Sequence, residues 1–148
     1  MDDLSLFKHK IQMNIRFSDL DAMGHVNNAK YLTYLEEARI NYFNNILYLS
    51  KENLDYQAVI AKVEINYFNQ IKLRDKLEIY TRIFKLGKKS FDFEILIVIN
   101  NNNGKIIASS SVTKMVGFNY KTQQTVTLPD YFRKAVRNYE KEVENNPA

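Results

Sequence analysis

Residues 16–31 read Arg-Phe-Ser-Asp-Leu-Asp-Ala-Met-Gly-His-Val-Asn-Asn-Ala-Lys-Tyr, and this stretch determines how the rest of the chain is interpreted. It begins where a strand pattern ends, contains the carboxylate of Asp21, and closes on Asn27 and Asn28 at the start of a long apolar helix pattern. A helix N-terminus offers unpaired backbone N–H groups and a partial positive charge. A carboxylate just upstream can act as a base, and the two together suit attack on a carbonyl whose oxygen takes up negative charge.

The composition predicts one domain, residues 1–148, without a metal centre. Hydrophobic residues make up 45% and aromatic residues 13% of the chain, which is enough to build a core. The absence of cysteine excludes a disulfide framework and a thiolate zinc site. The sequence contains two histidines, His9 and His25, so we expect no histidine-rich metal site and no bound cofactor.

The charge pattern argues against a nucleic-acid partner. The net charge is +4, but acids are interleaved with the basic residues and no basic helix or arginine-rich arm occurs. An ordinary solvated surface and attraction of an anionic small molecule or an acidic carrier protein both remain open. The chain has no apolar run of about 18 residues and no signal-peptide core at its start, which predicts a cytoplasmic protein without a membrane span.

Alternating apolar and polar residues predict five strands. The stretches are residues 10–18, 57–68, 76–86, 90–100 and 105–118. Turn residues at 87–89 and 101–104 join the last three strands into an antiparallel meander. In the first strand the alternation places Phe17 on the apolar face, and in the last it places Ile106 and Val112 on the same face.

Apolar residues at three- and four-residue steps predict a long helix over residues 28–49, with Asn27 or Asn28 as its N-cap. Pro129 opens a short terminal helix, and residues 140–148 are expected to form a frayed tail. One long apolar helix among antiparallel strands predicts an α+β domain with the sheet curled around the helix. Such a sheet has an exposed edge that a second copy can cover, which predicts a homodimer.

Residues 17–31 resemble the start of the hotdog-fold thioesterases, and in particular of the 4-hydroxybenzoyl-CoA thioesterase-like acyl-CoA thioesterases. The resemblance continues through residues 34–39, residues 62–67 and the turn at 86–90, so it covers nearly the whole domain. It implies a hotdog fold, in which a curved antiparallel sheet wraps a long central helix. It also implies hydrolysis of an acyl-CoA, with CoA as part of the substrate, by homodimers or dimers of dimers whose active sites lie between subunits.

The same resemblance places a catalytic carboxylate at Asp21, which relatives use as a nucleophile or as a general base for water. The amide of Asn28, at the start of the helix, would hold the carbonyl oxygen. Taken alone, Asp21 would be interpreted as a turn or helix-capping acid, whereas the whole motif favours catalysis. Asp19 is expected to stabilise the loop through hydrogen bonds between its side chain and the backbone.

His25 has two interpretations. Relatives that act on acyl carrier protein have a catalytic histidine at this position and an asparagine two residues before it, where this chain has Met23. A neutral imidazole would polarise the carbonyl or orient water, whereas a structural histidine would only bond the turn. An acyl-carrier-protein thioesterase and a catalytically silent acyl-binding hotdog protein therefore remain alternatives to the acyl-CoA thioesterase.

Two further sets of charged residues are candidates. We predict that the turn around residues 86–90 binds substrate through Lys85, Lys88, Lys89 and Ser90. In relatives the equivalent turn lies near the nucleotide end of coenzyme A. Lysines there would pair with phosphates, although ordinary turn lysines are an equal alternative. Some hotdog thioesterases place a catalytic glutamate on the central helix, but Glu36 and Glu37 are interpreted as solvated or subunit-facing acids.

Overall fold

The computed structural model describes residues 3–46 and 57–145. This part of the chain contains the helices α1 (Asn28–Ile46) and α2 (Asp130–Tyr139), and neither has the combination of length and hydropathy that a membrane span requires. The longer strands are β1 (His9–Met13), β2 (Gln57–Tyr67), β3 (Leu77–Leu86), β4 (Ser90–Asn101) and β5 (Gly104–Asn119). The short elements are the 3-10 turns Leu4–Leu6 and Phe17–Asp19 and the strands β6 (Gln124–Thr125) and β7 (Glu144–Asn145).

The longer strands form one antiparallel sheet in the order β1-β3-β4-β5-β2. β6 pairs with β5, and β7 pairs in parallel with the end of β3. The sheet curls around α1, whose Tyr42 is fully buried and meets Phe93 of β4 edge to face, with 5.3 Å between the ring centroids. The predicted α+β arrangement, a long helix wrapped by a curved antiparallel sheet, is therefore confirmed.

The predicted meander of β3, β4 and β5 is confirmed together with both of its turns. Gly87 donates its N–H to the carbonyl oxygen of Ser90 at 2.6 Å, which closes the first turn. Asn101 pairs with Gly104 across a two-residue loop. Gly104 has a φ of +112°, a conformation that glycine adopts without the steric cost that a side chain would add.

Both predicted helices are present. α1 begins at Asn28, as predicted, and is described as far as Ile46. Residues 47–49 of the predicted helix lie outside the described residues. Pro129 stands immediately before α2, where its fixed φ suits the start of a helix.

The predicted strand over residues 10–18 is wrong in its second half, because β1 ends at Met13. Phe17 begins a 3-10 turn and is 80% exposed instead of lying on the apolar face. Asp19 causes the change: its Oδ2 accepts the N–H of Arg16 at 3.1 Å, and its own N–H donates to the carbonyl oxygen of Arg16 at 2.9 Å. These local hydrogen bonds compete successfully with a strand.

The prediction that Ile106 and Val112 lie on the same face of β5 is wrong, because the strand carries a β-bulge. The register of the pair shifts between Ile97 and Val98 of β4, which leaves Ala108 of β5 without a partner on β4. A shift of one residue exchanges the two faces of a strand, so Ile106 and Val112 lie on opposite faces. The first three core-facing residues beyond the bulge, Ser109, Ser111 and Thr113, are small and polar, and the next one is Met115.

Of the predicted frayed tail, residues 140–148, the part from 140 to 145 instead packs against β3, and residues 146–148 lie outside the described residues. Glu140 is only 7% exposed. Its Oε1 accepts the hydroxyl of Tyr42 at 2.5 Å and the N–H of Ile83 at 3.2 Å, so one carboxylate joins α2, α1 and β3. Burial raises the pKa of Glu140 above its usual value, although these hydrogen bonds oppose the shift.

The raised pKa of Glu140 predicts a pH-dependent cost to stability. The folded state holds this proton more tightly than the unfolded chain, so the free energy of unfolding falls as pH rises from about 4.3, the usual glutamate pKa, through the raised value. Glu140→Gln keeps an acceptor for Tyr42 and Ile83 without the charge. Urea unfolding should show the variant gaining stability over the wild type above pH 5, by at most about 1.4 kcal/mol per pH unit.

The same unfolding experiment at pH 4 provides the control for Glu140→Gln. There the wild-type carboxyl is largely protonated, so the two proteins should unfold at similar urea concentrations. A variant that is equally destabilised at both pH values would show that the buried charge does not weaken the fold.

Candidate active site

A tight hairpin presents the carboxylate of Asp21. Asp21 donates its N–H to the carbonyl oxygen of His25 at 2.8 Å, and Gly24 donates its N–H to the carbonyl oxygen of Asp21 at 3.1 Å. Gly24 has a φ of +82°, which completes the three-residue loop. Oδ1 of Asp21 accepts the N–H groups of Met23 at 2.9 Å and His25 at 3.4 Å. Its Oδ2 accepts no hydrogen bond from the described residues, so one carboxylate oxygen remains available.

Asp19 anchors this loop to α1. The side chain is 6% exposed, and its Oδ2 accepts the hydroxyl of Tyr34 at 2.6 Å as well as the N–H of Arg16. Its carbonyl oxygen accepts the N–H of Asn27 at 2.8 Å. Burial alone would raise the pKa of Asp19, but the hydrogen bonds from Tyr34 and Arg16 hold it below its usual value. Asp19 therefore has the loop-stabilising position expected from the sequence.

The N-cap of α1 is Asn27 and not Asn28. Oδ1 of Asn27 accepts the N–H of Ala29 at 3.0 Å, the usual geometry of an N-cap. Asn28 is the first residue of the helix, and its own N–H has no acceptor in residues 3–46 or 57–145. This N–H is therefore an unpaired donor at the positive end of a 19-residue helix.

One cavity of about 340 Å³ brings three of the predicted site residues together, Asp21, His25 and Asn28. His25 is half-buried, its backbone pairs with Lys72, and its ring makes no hydrogen bond within the described part of the chain. The arrangement combines a carboxylate, an imidazole and an unpaired backbone N–H around one open space. Such a set can hold a carbonyl oxygen while a base attacks or activates water.

The other wall of this cavity comes from the end of β2 and was missed by the sequence analysis. It consists of Tyr67, Phe68, Asn69 and Gln70. Tyr67 donates its hydroxyl to the carbonyl oxygen of Asn28 at 3.4 Å, and its ring meets Tyr31 edge to face at 4.9 Å between the centroids. The signal in the sequence was the adjacent aromatic pair Tyr67 and Phe68 at the point where the strand alternation stops, and the structure leaves these residues 50% and 57% exposed.

The structure does not bring the lysine turn to this cavity within one chain. His25 lies beside the segment that enters β3, whereas the turn follows the other end of β3, about 30 Å away at the usual strand rise. The four predicted binding residues, Lys85, Lys88, Lys89 and Ser90, are therefore remote from Asp21 in the same subunit. Arg133 of α2 holds the turn by donating Nη2 to the carbonyl oxygens of Gly87 at 2.5 Å and Lys88 at 3.1 Å.

Two other acidic candidates lie outside the cavity. Glu36 and Glu37 are exposed on α1, and neither lines the space around Asp21. Within residues 3–46 and 57–145, no group of three or more histidine, cysteine, aspartate or glutamate side chains could hold a metal ion.

Comparisons with known proteins agree on the type of domain. A family model described as the thioesterase-like superfamily matches residues 15–136. The long-chain acyl-CoA thioesterase FadM of Escherichia coli is 30% identical over 125 residues, which cover 82% of this chain and 92% of FadM. The protein YsmA of Bacillus subtilis is 33% identical over 85 residues, and the match spans 57% of each chain.

A solved structure supports the same fold. A thioesterase from Thermus thermophilus, solved with coenzyme A and zinc, is 33% identical and has a TM-score of 0.78. The match covers 91% of this chain and 96% of the Thermus chain. The hotdog fold expected from the resemblance is confirmed.

The two adjacent asparagines predict a simple contrast in stability. Asn27→Ala removes the acceptor for Ala29 and should lower the free energy of unfolding by about 1 kcal/mol. Asn28→Ala is the matched control, because its exposed side chain makes no hydrogen bond within the described residues, and it should change stability by less than about 0.5 kcal/mol. Urea unfolding measures both. Equal destabilisation by the two variants would contradict the assignment of the cap.

Proposed function

Because the chain belongs to the thioesterase-like superfamily, we propose that it hydrolyses the thioester of an acyl-CoA to the free acid and coenzyme A. One observation carries this proposal: Asp21, whose Oδ2 accepts no hydrogen bond from the described residues, and Asn28, whose N–H is unpaired among them, line the same cavity. The names of two relatives support CoA over acyl carrier protein as the carrier. FadM is named as an acyl-CoA thioesterase, and the Thermus thioesterase was solved with coenzyme A.

In the proposed reaction, the thioester oxygen accepts the N–H of Asn28. The negative charge that develops on this oxygen is stabilised by that donor and by the positive end of α1. Asp21 then either removes a proton from a water that attacks the carbonyl carbon, or attacks the carbon itself. In the second route the mixed anhydride is hydrolysed by water. In both routes the carbon–sulfur bond breaks, and the thiolate takes up a proton.

In this proposal the Asp21 loop provides the base or nucleophile, and His25 provides a second polar side chain in the cavity. Oδ1 of Asp21 is held by the N–H groups of Met23 and His25, which leaves Oδ2 without a hydrogen bond from the described residues. His25 lines the same cavity, where its ring would orient the water or polarise the carbonyl. A histidine that only supports the turn is the alternative.

A homodimer would explain how the remote lysine turn contributes. β2 is an edge strand, and its unpaired N–H and C=O groups can take a strand from a second copy. Antiparallel pairing of two β2 strands turns the partner end for end, so the turn holding Lys88 and Lys89 in one subunit approaches the Asp21 end of the other. Lysines in that position would pair with the phosphates of coenzyme A.

Asp21→Asn tests the base or nucleophile. The amide keeps an oxygen to accept the N–H groups of Met23 and His25 but is neither a base nor an effective nucleophile. Thiol release from acyl-CoAs should therefore fall about 10²- to 10⁴-fold. Circular dichroism should be unchanged, and light scattering should give the mass of a dimer for both proteins. Near-normal hydrolysis would remove Asp21 from the mechanism, and a monomer mass would exclude the dimer.

Asn28→Pro tests the oxyanion donor. Proline is favoured at the first position of a helix, so this change removes the proposed N–H with little effect on folding. kcat should fall about 10²- to 10³-fold, the usual loss for one oxyanion donor. Asn28→Ala is the matched control, because it keeps the N–H and should retain activity. Full activity in a folded Asn28→Pro variant would show that the thioester oxygen is held elsewhere.

A further inference from the structure

The far wall of the Asp21 cavity is an exposed segment that needs support from outside itself. This wall, residues 67–70, begins where the ladder between β2 and β5 ends, at the pair Tyr67 and Ser109. Its last three residues follow the end of β2, and all four are exposed. Exposed connecting segments are ordinarily mobile, so other contacts must fix the position of this wall.

Three hydrogen bonds provide those contacts. Phe68 and Asn69 both donate their backbone N–H groups to the carbonyl oxygen of Ala108, at 2.8 and 3.1 Å. The side chain of Asn69 donates Nδ2 to the carbonyl oxygen of Ile107 at 2.9 Å. We call these three bonds the bulge clamp, because both acceptors lie at the β-bulge of β5. Asn69 supplies two of its three donors and is the residue that connects the wall to both carbonyl groups.

The bulge itself gives the clamp a fixed base. On the β4 side of β5, Ile97 pairs with Ser109 and Val98 pairs with Ile107, so Ala108 is the extra residue between them. Ala108 is completely buried, which holds its carbonyl group in place. Bulges are over-represented beside active sites, where they change the direction of the chain and of its side chains. The bulge of β5 therefore has a position that suits it to support the cavity.

The opposite end of the wall contacts the start of α1. Tyr67 donates its hydroxyl to the carbonyl oxygen of Asn28, and its ring packs against Tyr31. The wall thus spans the distance from the bulge of β5 to the residue whose N–H is the proposed oxyanion donor. A shift of residues 67–70 would change the width of the cavity and the contact with Asn28 together.

From these contacts we propose that Asn69 is a positioning residue for the thioesterase reaction, which fixes the wall that holds the thioester against Asp21 and Asn28. The inference rests on the proposed function. The side-chain donor of Asn69 is bonded to Ile107, so the residue acts through the backbone of the wall. A misplacement of about 1 Å at a reacting centre can cost about 100-fold in rate. Loss of the clamp should therefore lower kcat much more than it raises KM.

Two substitutions of Asn69 remove the side-chain donor in different ways. Asn69→Ala deletes the amide, whereas Asn69→Asp keeps its shape and an acceptor oxygen but has no N–H for Ile107. Thiol release is measured in the full chain with acetyl-, octanoyl- and benzoyl-CoA, and the substrate that the wild type cleaves fastest is used for comparison. Both variants should lower kcat at least about tenfold, which corresponds to about 1.4 kcal/mol, with less than about threefold change in KM.

Asn101→Ala is the matched control. The side chain of Asn101 also donates one exposed hydrogen bond to a distant segment, from Nδ2 to Oδ1 of Asp75 at 3.2 Å, and it does not line the cavity. This variant should lower the urea midpoint about as much as Asn69→Ala does, while its kcat stays within about twofold of the wild type. Equal losses of kcat in the two variants would assign the effect to general destabilisation and would overturn the positioning role.

Amide hydrogen exchange separates positioning from direct contact with the substrate. In the substrate-free protein, the backbone amides of Phe68 and residue 69 should exchange faster in both Asn69 variants, because these amides belong to the clamp. Wild-type exchange rates together with a lowered kcat would show that Asn69 acts by touching the substrate. Wild-type activity in Asn69→Asp together with a loss in Asn69→Ala would show the same, and either result overturns the proposal.

The inference and the proposed function fail in different ways. If the wild type cleaves none of the three acyl-CoAs, the proposed function is wrong, and the positioning role of Asn69 falls with it. If the wild type cleaves them and both folded Asn69 variants keep its kcat, only the positioning role is overturned.

Discussion

The buried hydrogen bond between Tyr34 and Asp19 is the constraint on which the candidate site depends. It joins the first turns of α1 to the loop that precedes the helix, across 2.6 Å and out of contact with water. The backbone of Asp19 also receives the N–H of Asn27, the residue that caps the helix. Asp19 therefore holds the loop to α1 through both its carboxylate and its carbonyl oxygen, and this keeps Asp21 and Asn28 in the lining of one cavity.

Asp19 and Asp21 show how environment separates two identical side chains. Asp19 is buried, its Oδ2 is shared by two donors, and its lowered pKa belongs to a structural anion. Asp21 is exposed, and both hydrogen bonds to its carboxylate go to the same oxygen. A carboxylate with one oxygen fixed and one available is oriented and still reactive, which is the combination that a base or nucleophile needs.

The candidate active site and the contacts that bury the C-terminus lie at opposite ends of the sheet. The Asp21 loop, the start of α1 and the end of β2 surround the cavity. At the other end, Glu140 joins α2, α1 and β3 through Tyr42 and Ile83, and Arg133 holds the lysine turn. One strand length lies between these two ends. A site formed by both the Asp21 cavity and the lysine turn would therefore require a second subunit turned end for end.

The sequence by itself determined the features that depend on neighbouring residues: the start of α1, both turns of the meander, and the grouping of Asp21, His25 and Asn28 within eight positions. Periodicity, turn chemistry and helix capping act over a few residues, so they can be read from the chain. Tertiary structure alone decided which residues form the far wall of the cavity, which faces β5 presents beyond its bulge, and how the C-terminus is buried. Those features depend on strand register and on contacts between distant segments, such as Tyr67 with Asn28 and Glu140 with Tyr42, which no local pattern encodes.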